Sequence, residues 1–156
     1  MLMIRNALLS DAATVAALAQ QFWPHHETAQ LLEEFEPLLQ DANAAVFLAF
    51  SDDMPVGFAQ CQLRHDYVEG TASSPVGYLE GIFVVPAYQK QGIARALLAS
   101  CEKWAKEQGC SEFASDCELS NTNSLRFHLS MALKRPTGSS ALPKSYNAYS
   151  RCTAMA

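Results

Sequence analysis

The sequence holds no apolar run long enough to span a membrane, and its N-terminus lacks a basic stretch followed by an apolar segment and a small-residue cleavage site. A cytoplasmic protein with no membrane partner is therefore expected. Charge is scarce at 17% of residues, and 11 Lys and Arg against 16 Asp and Glu leave a net charge of −5. Nucleic-acid binders carry a basic footprint, so this balance argues against them; it suits a cationic substrate, whose local concentration an acidic cleft raises. The five cysteines, at 61, 101, 110, 117 and 152, form no Cys-x-x-Cys pair, and no histidine stands at zinc-finger spacing. Reduced, packed thiols and no metal are expected. Gly-x-Gly-x-x-Gly and Gly-Lys-Ser/Thr are missing too, which removes support for hydride transfer and nucleotide hydrolysis.

What is present is a chain of 156 residues that is 49% hydrophobic, enough for a single domain, 1–156, with a proper core. Its most informative stretch runs from Tyr78 to Cys101. Leu79 to Val85 is rich in β-branched and aromatic residues and is closed by Pro86, which predicts a strand. Ile93, Leu97, Cys101 and Trp104 then recur at helical spacing. The turn between them is Gln89-Lys90-Gln91-Gly92-Ile93-Ala94. A helix that opens there leaves its first N–H groups without intrahelical partners, aimed at whatever lies ahead. Gly92 and small Ala94 allow close approach, and Lys90 and Arg95 add positive charge, so a phosphate or pyrophosphate is the expected ligand.

The remaining elements follow in order. Met3 to Ala7 reads as a strand; Ser10 or Asp11 caps a helix with Val15, Leu18 and Phe22 on its inner face. Trp23, beside Pro24, either packs inward or forms a binding wall. Thr28 to Leu39 predicts a second helix, with Glu27, Glu33, Glu34 and Glu36 as a solvated acidic face. Ala45 to Phe50 and Pro55 to His65 alternate as strands about a hairpin turn at residues 51–55. Gly109 ends the later helix, Ser111 to Asp116 is a strand, and Asn121 caps a last helix carrying Leu125, Leu129 and Met131.

The turn resembles the acetyl-CoA motif of the GNAT superfamily of N-acetyltransferases, Arg/Gln-x-x-Gly-x-Gly/Ala, with Gln89, Gly92 and Ala94 in the defining places. The order β-α-α-β-β-β-α-β-α matches the layout of that superfamily. The implied fold is α/β (α+β), a mixed sheet flanked by helices and splayed beside its central strand to admit the pantetheine arm. The runs 64–70, 73–76, 79–84 and 114–116 are similar to the aminoglycoside 6'-N-acetyltransferases of bacterial resistance, a likeness that covers residues 3–131. The resemblance implies acetyl-CoA on backbone groups of Ile82, Phe83 and Val84, pairing like an added strand, with its pyrophosphate on Lys90, Gln91, Gly92, Ile93, Ala94 and Arg95. It implies an aminoglycoside pocket lined by Trp23, Tyr67, Glu80, Asp116 and Asn121, and a homodimer.

The residue types suit that chemistry. An ammonium cannot attack a thioester, and Glu80 on the central strand is placed to take the proton, directly or through water. Asp116 suits a second substrate ammonium, and Tyr67 offers a hydroxyl or a ring face to a cation. Backbone N–H near Val84 would polarise the thioester carbonyl. Many GNAT enzymes carry a tyrosine acid early in the last helix; residues 123–131 contain none, Phe127 being the nearest aromatic, and no acid is assigned. A GNAT acting on a polyamine or a protein N-terminus, and a weakly active acyl-CoA-binding protein, are the alternative readings. A cysteine hydrolase built from Cys117, His128 and Asp116 lacks any nucleophile elbow.

After Met131 the family would continue Gly-Phe-Glu and then a strand, whereas this chain runs Ala-Leu-Lys-Arg-Pro-Thr-Gly-Ser-Ser-Ala-Leu-Pro-Lys from 132 to 144. Pro136, Gly138 and Pro143 argue against a regular strand. Loss of one base in the glycine codon of a gene encoding Met-Gly-Phe-Glu-Glu-Thr-Asn-Arg-Ile-Ile-Cys-Phe-Thr-Lys gives residues 131–144 as they stand. A frameshifted, non-family tail with reduced activity is the expectation.

Overall fold

The computed structural model describes residues 1–66 and 72–115. In chain order these form β1 (Leu2–Asn6), α1 (Ala12–Phe22), α2 (Thr28–Leu38), β2 (Ala44–Ser51), β3 (Met54–Arg64), β4 (Val76–Val84), α3 (Ile93–Glu107) and β5 (Phe113–Ser115), with short 3-10 turns at Leu9–Asp11 and Pro86–Tyr88. Each element expected up to residue 115 is present, most with ends displaced by one or two residues. The last helix, its cap Asn121 and the tail lie outside the described residues.

The strands form one sheet in the order β1-β2-β3-β4-β5. The first three pairings are antiparallel and β4–β5 is parallel, as a helical crossover through α3 requires. The β2–β3 hairpin turns on Asp52 and Asp53, both at positive φ (47° and 69°), the conformation that matches a two-residue turn to the twist of its strands. Asp11 does not cap α1 through its side chain. Its carboxylate instead accepts from the Leu8 N–H at 2.8 Å and from both terminal nitrogens of Arg5, at 2.7 and 2.9 Å, which fastens the entry of α1 to β1. The Arg5 guanidinium holds the Asp11 carboxyl below its ordinary range.

Both faces of the sheet are covered. On one side α3 buries Ile93, Leu97, Leu98 and Cys101 against Ala59, Leu79, Ile82 and Val84. On the other, α1 and α2 bury Val15, Leu18, Leu31 and Phe35 against Val46, Leu48, Phe58 and Phe83. Full burial of each large apolar side chain contributes roughly 1.5–3 kcal/mol. The acidic residues Glu33, Glu34 and Glu36 face solvent as expected. α3 closes at Gly109, whose φ of 92° lets Cys110 N–H reach Ala105 O and Gly109 N–H reach Lys106 O, both at 3.0 Å.

Cys61, Cys101 and Cys110 are unbridged and buried. Burial, with a hydrogen bond to Cys61 adding to it, pushes the Cys101 thiol well above its ordinary value, and burial raises Cys110 too. Raised thiols of this kind, at Cys101 and Cys110, are packing groups rather than nucleophiles.

β4 sits closest to its neighbours at Gly77, where a Cβ would lie 2.6 Å from Ala105 Cβ and 2.7 Å from Phe113 Cδ2. Neither atom is the end of a flexible chain, so the contact cannot relax locally. Gly77→Ala is expected to destabilise the fold by about 1–3 kcal/mol in chemical denaturation; an unchanged midpoint would show that α3 and β5 are not pressed against β4 there.

Candidate active site

β4 carries the site, and one irregularity in its pairing sets the geometry. Gln60 of β3 stands opposite Gly81 and Cys61 opposite Leu79, so Glu80 is the extra residue of a β-bulge. Bulges bend a strand and re-aim a side chain. Leu79 and Ile82 enter the core beneath α3, while Phe83 enters the core beneath α1 and α2. With one residue added between them, Glu80 and Gly81 both turn toward the α1 and α2 face. Glu80 is the single residue of Val76–Val84 that is not buried.

Trp23, at the C-terminal end of α1, lies against that same face. A Cβ on Gly81 would be 3.7 Å from Trp23 Cη2 and 3.4 Å from Phe22 Cε2. The Trp23 ring stacks on Phe22, with centroids 4.6 Å apart and planes within 8°, and Phe22 stacks in turn on Phe83 at 5.8 Å. The half-buried indole is thus anchored in the aromatic core, with its edge beside β4 at Gly81.

The Arg64 guanidinium reaches across from β3 and donates to Glu80 Oε1 from Nη2 at 2.7 Å and from Nε at 3.2 Å. Its carbon also lies 3.6 Å from the centre of the Tyr78 ring. Sequence reading named neither Arg64 nor Tyr78 as a site residue; the signal available was a basic residue closing β3 where the hairpin folds it back toward the acidic residue of β4.

The loop between β3 and β4 is tied down from a distance. Glu112, only 8% exposed just before β5, accepts from Ala72 N–H at 2.9 Å and from the Ser73 hydroxyl, while Ser74 Oγ donates to His65 O at 3.0 Å. Tyr67 belongs to that loop but lies outside the described residues, as do Asp116 and Asn121.

At the other end of β4 the chain turns into α3. The recorded β4–β5 pairing runs from Gly77 to Leu79, and the described part of β5 ends at Ser115. Ile82, Phe83 and Val84 pair on the β3 side with Ala59, Phe58 and Gly57. Among the described residues, therefore, no strand is paired to the β5-side edge of Ile82–Val84.

Gly92 caps α3 with φ of 84°, and Lys90 has φ of 64°. A left-handed lysine costs on the order of 1 kcal/mol and is the kind of strain found at ligand clamps. The first helical bond is Ala96 N–H to Gly92 O at 3.1 Å, so the N–H groups at the opening positions, Ile93 and Ala94, precede the ladder. A Cβ built on Gly92 meets nothing within 4 Å among the described residues, so the space beside that residue is open. Gln89 braces the turn, its Nε2 donating to Val84 O at 3.0 Å, which links the glycine-started turn to the end of β4. Lys90, Gln91 and Gly92 are exposed, whereas Ile93 anchors the turn in the core.

This combination of a bulged central strand, a strand edge left unpaired among the described residues and a glycine-started helix is that of an N-acetyltransferase. The chain matches the acetyltransferase (GNAT) family over residues 12–132 and belongs to it. Among its relatives, an aminoglycoside N(6')-acetyltransferase type 1 of Stenotrophomonas maltophilia is 47% identical over 126 residues, covering 80% of this chain and 81% of that protein. The enzyme of the same name from Salmonella typhimurium strain LT2 is 41% identical over 117 residues, 75% of this chain and 81% of the other. The solved structure of AAC(6')-Iy in complex with the bisubstrate analogue CoA-S-monomethyl-acetylneamine matches with a TM-score of 0.81 at 36% identity, covering 92% of this chain and 96% of that one. Among the described residues no helix is long and apolar enough to cross a membrane.

Proposed function

We propose that this chain transfers the acetyl group of acetyl-CoA to the 6'-amine of aminoglycoside antibiotics, in the cytoplasm and as a homodimer, and so confers resistance to them. The observation that carries the reading is the bulge at Glu80: it turns one carboxylate out of an otherwise buried strand, beside Trp23 and a few residues before the glycine-started turn. The relatives named N(6')-acetyltransferases supply the substrate class and the position acetylated.

In this reading the donor lies along β4. Main-chain groups of Ile82, Phe83 and Val84 pair with the pantetheine arm as a strand would, and the turn from Lys90 to Arg95 holds the pyrophosphate on amides, helix dipole and cationic side chains. The acceptor lies across it, with Glu80, Trp23, Tyr67, Asp116 and Asn121 lining its pocket. Glu80 takes a proton from the 6'-ammonium, directly or through water, which frees the nitrogen lone pair. The neutral amine adds to the thioester carbonyl carbon, and backbone N–H near Val84 stabilises the oxyanion that forms. Collapse of the tetrahedral intermediate breaks the carbon–sulfur bond and releases CoA as the thiolate, while the extra proton on the nitrogen passes to water or to the departing thiolate and leaves the neutral amide. No acetyl-enzyme intervenes, in keeping with protonated, buried thiols at Cys101 and Cys110.

The tail bears on how well this works. The family match ends at Ala132, one residue past the point where the sequence departs from the family pattern. That supports the reading of residues 132–144 as a displaced frame, with an acidic pocket residue and a sheet strand replaced.

Three measurements test these claims. CoA release should follow aminoglycosides that carry a 6'-amine and not those with a 6'-hydroxyl, and Glu80→Gln should lower kcat by about 100-fold or more; turnover indifferent to the 6' substituent would sink the regiochemical assignment. Gly92→Ala puts a Cβ where the phosphate is placed and strains the backbone, so calorimetric titration should show CoA binding weakened about tenfold, equivalent to roughly 1.4 kcal/mol. Restoring the frame after Met131 to Gly-Phe-Glu-Glu-Thr-Asn-Arg-Ile-Ile-Cys-Phe-Thr-Lys should raise both kcat and the thermal midpoint, and a chain no better than the original would acquit the tail.

A further inference from the structure

We infer that Arg64 is a positioning residue for the acceptor site, aiming the Glu80 carboxylate at the substrate amine. This rests on the assignment of Glu80 as the proton acceptor. Glu80 is held at a bulge, where the local ladder does not fix its direction as it would in a regular strand. A glutamate has three side-chain torsions, and two hydrogen bonds converging on one oxygen remove most of that freedom. The guanidinium is itself fixed, because its face lies against the buried Tyr78 ring at 3.6 Å while its edge meets the carboxylate.

The pair is 40% exposed on the arginine side and 22% on the glutamate side. Ion pairs with that access to water contribute at most about 1 kcal/mol to folding, so the consequence of the arrangement lies in geometry rather than in stability. Misplacing a reacting group by about 1 Å can cost roughly 100-fold in rate. Arg64 also differs from Lys90 and Arg95 in location: it closes β3, on the acceptor side of β4, and its partner is the carboxylate rather than the anion-binding turn.

The test is a cycle on the full-length chain, with CoA release measured for a 6'-amino aminoglycoside and CoA binding measured separately. Arg64→Gln should lower kcat about 10- to 100-fold while KM for acetyl-CoA stays within about twofold. Arg64→Lys, which keeps the charge but not the two-pronged donor, should recover part of the loss. In the Glu80→Gln background the Arg64→Gln change should cost little more, because a residue acting through Glu80 has nothing left to position. Equal losses in both backgrounds, or an unaltered kcat in Arg64→Gln, would overturn the inference. Should Arg64→Gln prove unfolded by circular dichroism, the Arg64→Lys pair in the two backgrounds decides by the same non-additivity. Full activity in Glu80→Gln alone would instead remove the base assignment, a separate result from failure of the Arg64 inference.

Discussion

A strand covered on both faces has only its edges and its irregularities with which to meet a ligand, and β4 is such a strand. Its apolar side chains are committed to packing: Leu79, Ile82 and Val84 beneath α3, Phe83 beneath α1 and α2, and Val76 and Tyr78 with Ala114 of β5. Its β3 edge is paired from Val76 to Val84, with the single slip at Glu80. Among the described residues, what remains for chemistry is the main chain of the β5-side edge beyond Leu79 and the one carboxylate at the slip. The proposed donor and acceptor roles divide along this constraint, since backbone amides and carbonyls suit a pantetheine arm and a carboxylate suits an amine.

The rest of the fold supports that strand. Gly77 and Gly57 let α3, β5 and β4 approach more closely than any side chain would allow, Gly57 standing 2.7 Å from Phe83 O at the position of a Cβ. The bond from Gln89 to Val84 O ties the start of α3 to the end of β4. The stack Trp23–Phe22–Phe83 does the same for the acceptor side, connecting the exposed edge of an indole to a side chain of the central strand. A site assembled from such braced parts loses less entropy on binding than one assembled from loops.

Much of this was legible in the chain. The turn at Gln89–Ala94 was readable because glycine and small residues before an amphipathic run have few other uses, and the position of Glu80 within an apolar strand marked it as exceptional. Less legible was anything that depends on register. The bulge is a mismatch between two strands and has no signature in either one. The contact between Arg64 and Glu80 follows from that register, as does the placement of Trp23 over Gly81. The tie from Glu112 to Ser73 joins residues 39 positions apart and is a tertiary fact throughout. Asp11 makes the complementary point: a residue of capping type in a capping position is drawn instead to Arg5 and Leu8, because a charged partner outbids the helix N–H groups.

The electrostatics of the two substrates set an apparent conflict that distance resolves. CoA is anionic and an aminoglycoside cationic, yet the chain carries −5 overall. At physiological ionic strength charges more than about 8 Å apart are largely screened, so the net acidity acts as a weak, general attraction for cations and a weak repulsion for anions. In the proposed function, holding the pyrophosphate is a short-range matter that falls to the opening amides of α3, its dipole and the adjacent Lys90 and Arg95. Amides at hydrogen-bond distance in a partly dehydrated turn outweigh a screened background, whereas for the sugar the background and the pocket carboxylates act in the same direction. An acidic protein can therefore bind an anion tightly at one turn of backbone while its surface as a whole favours the opposite charge.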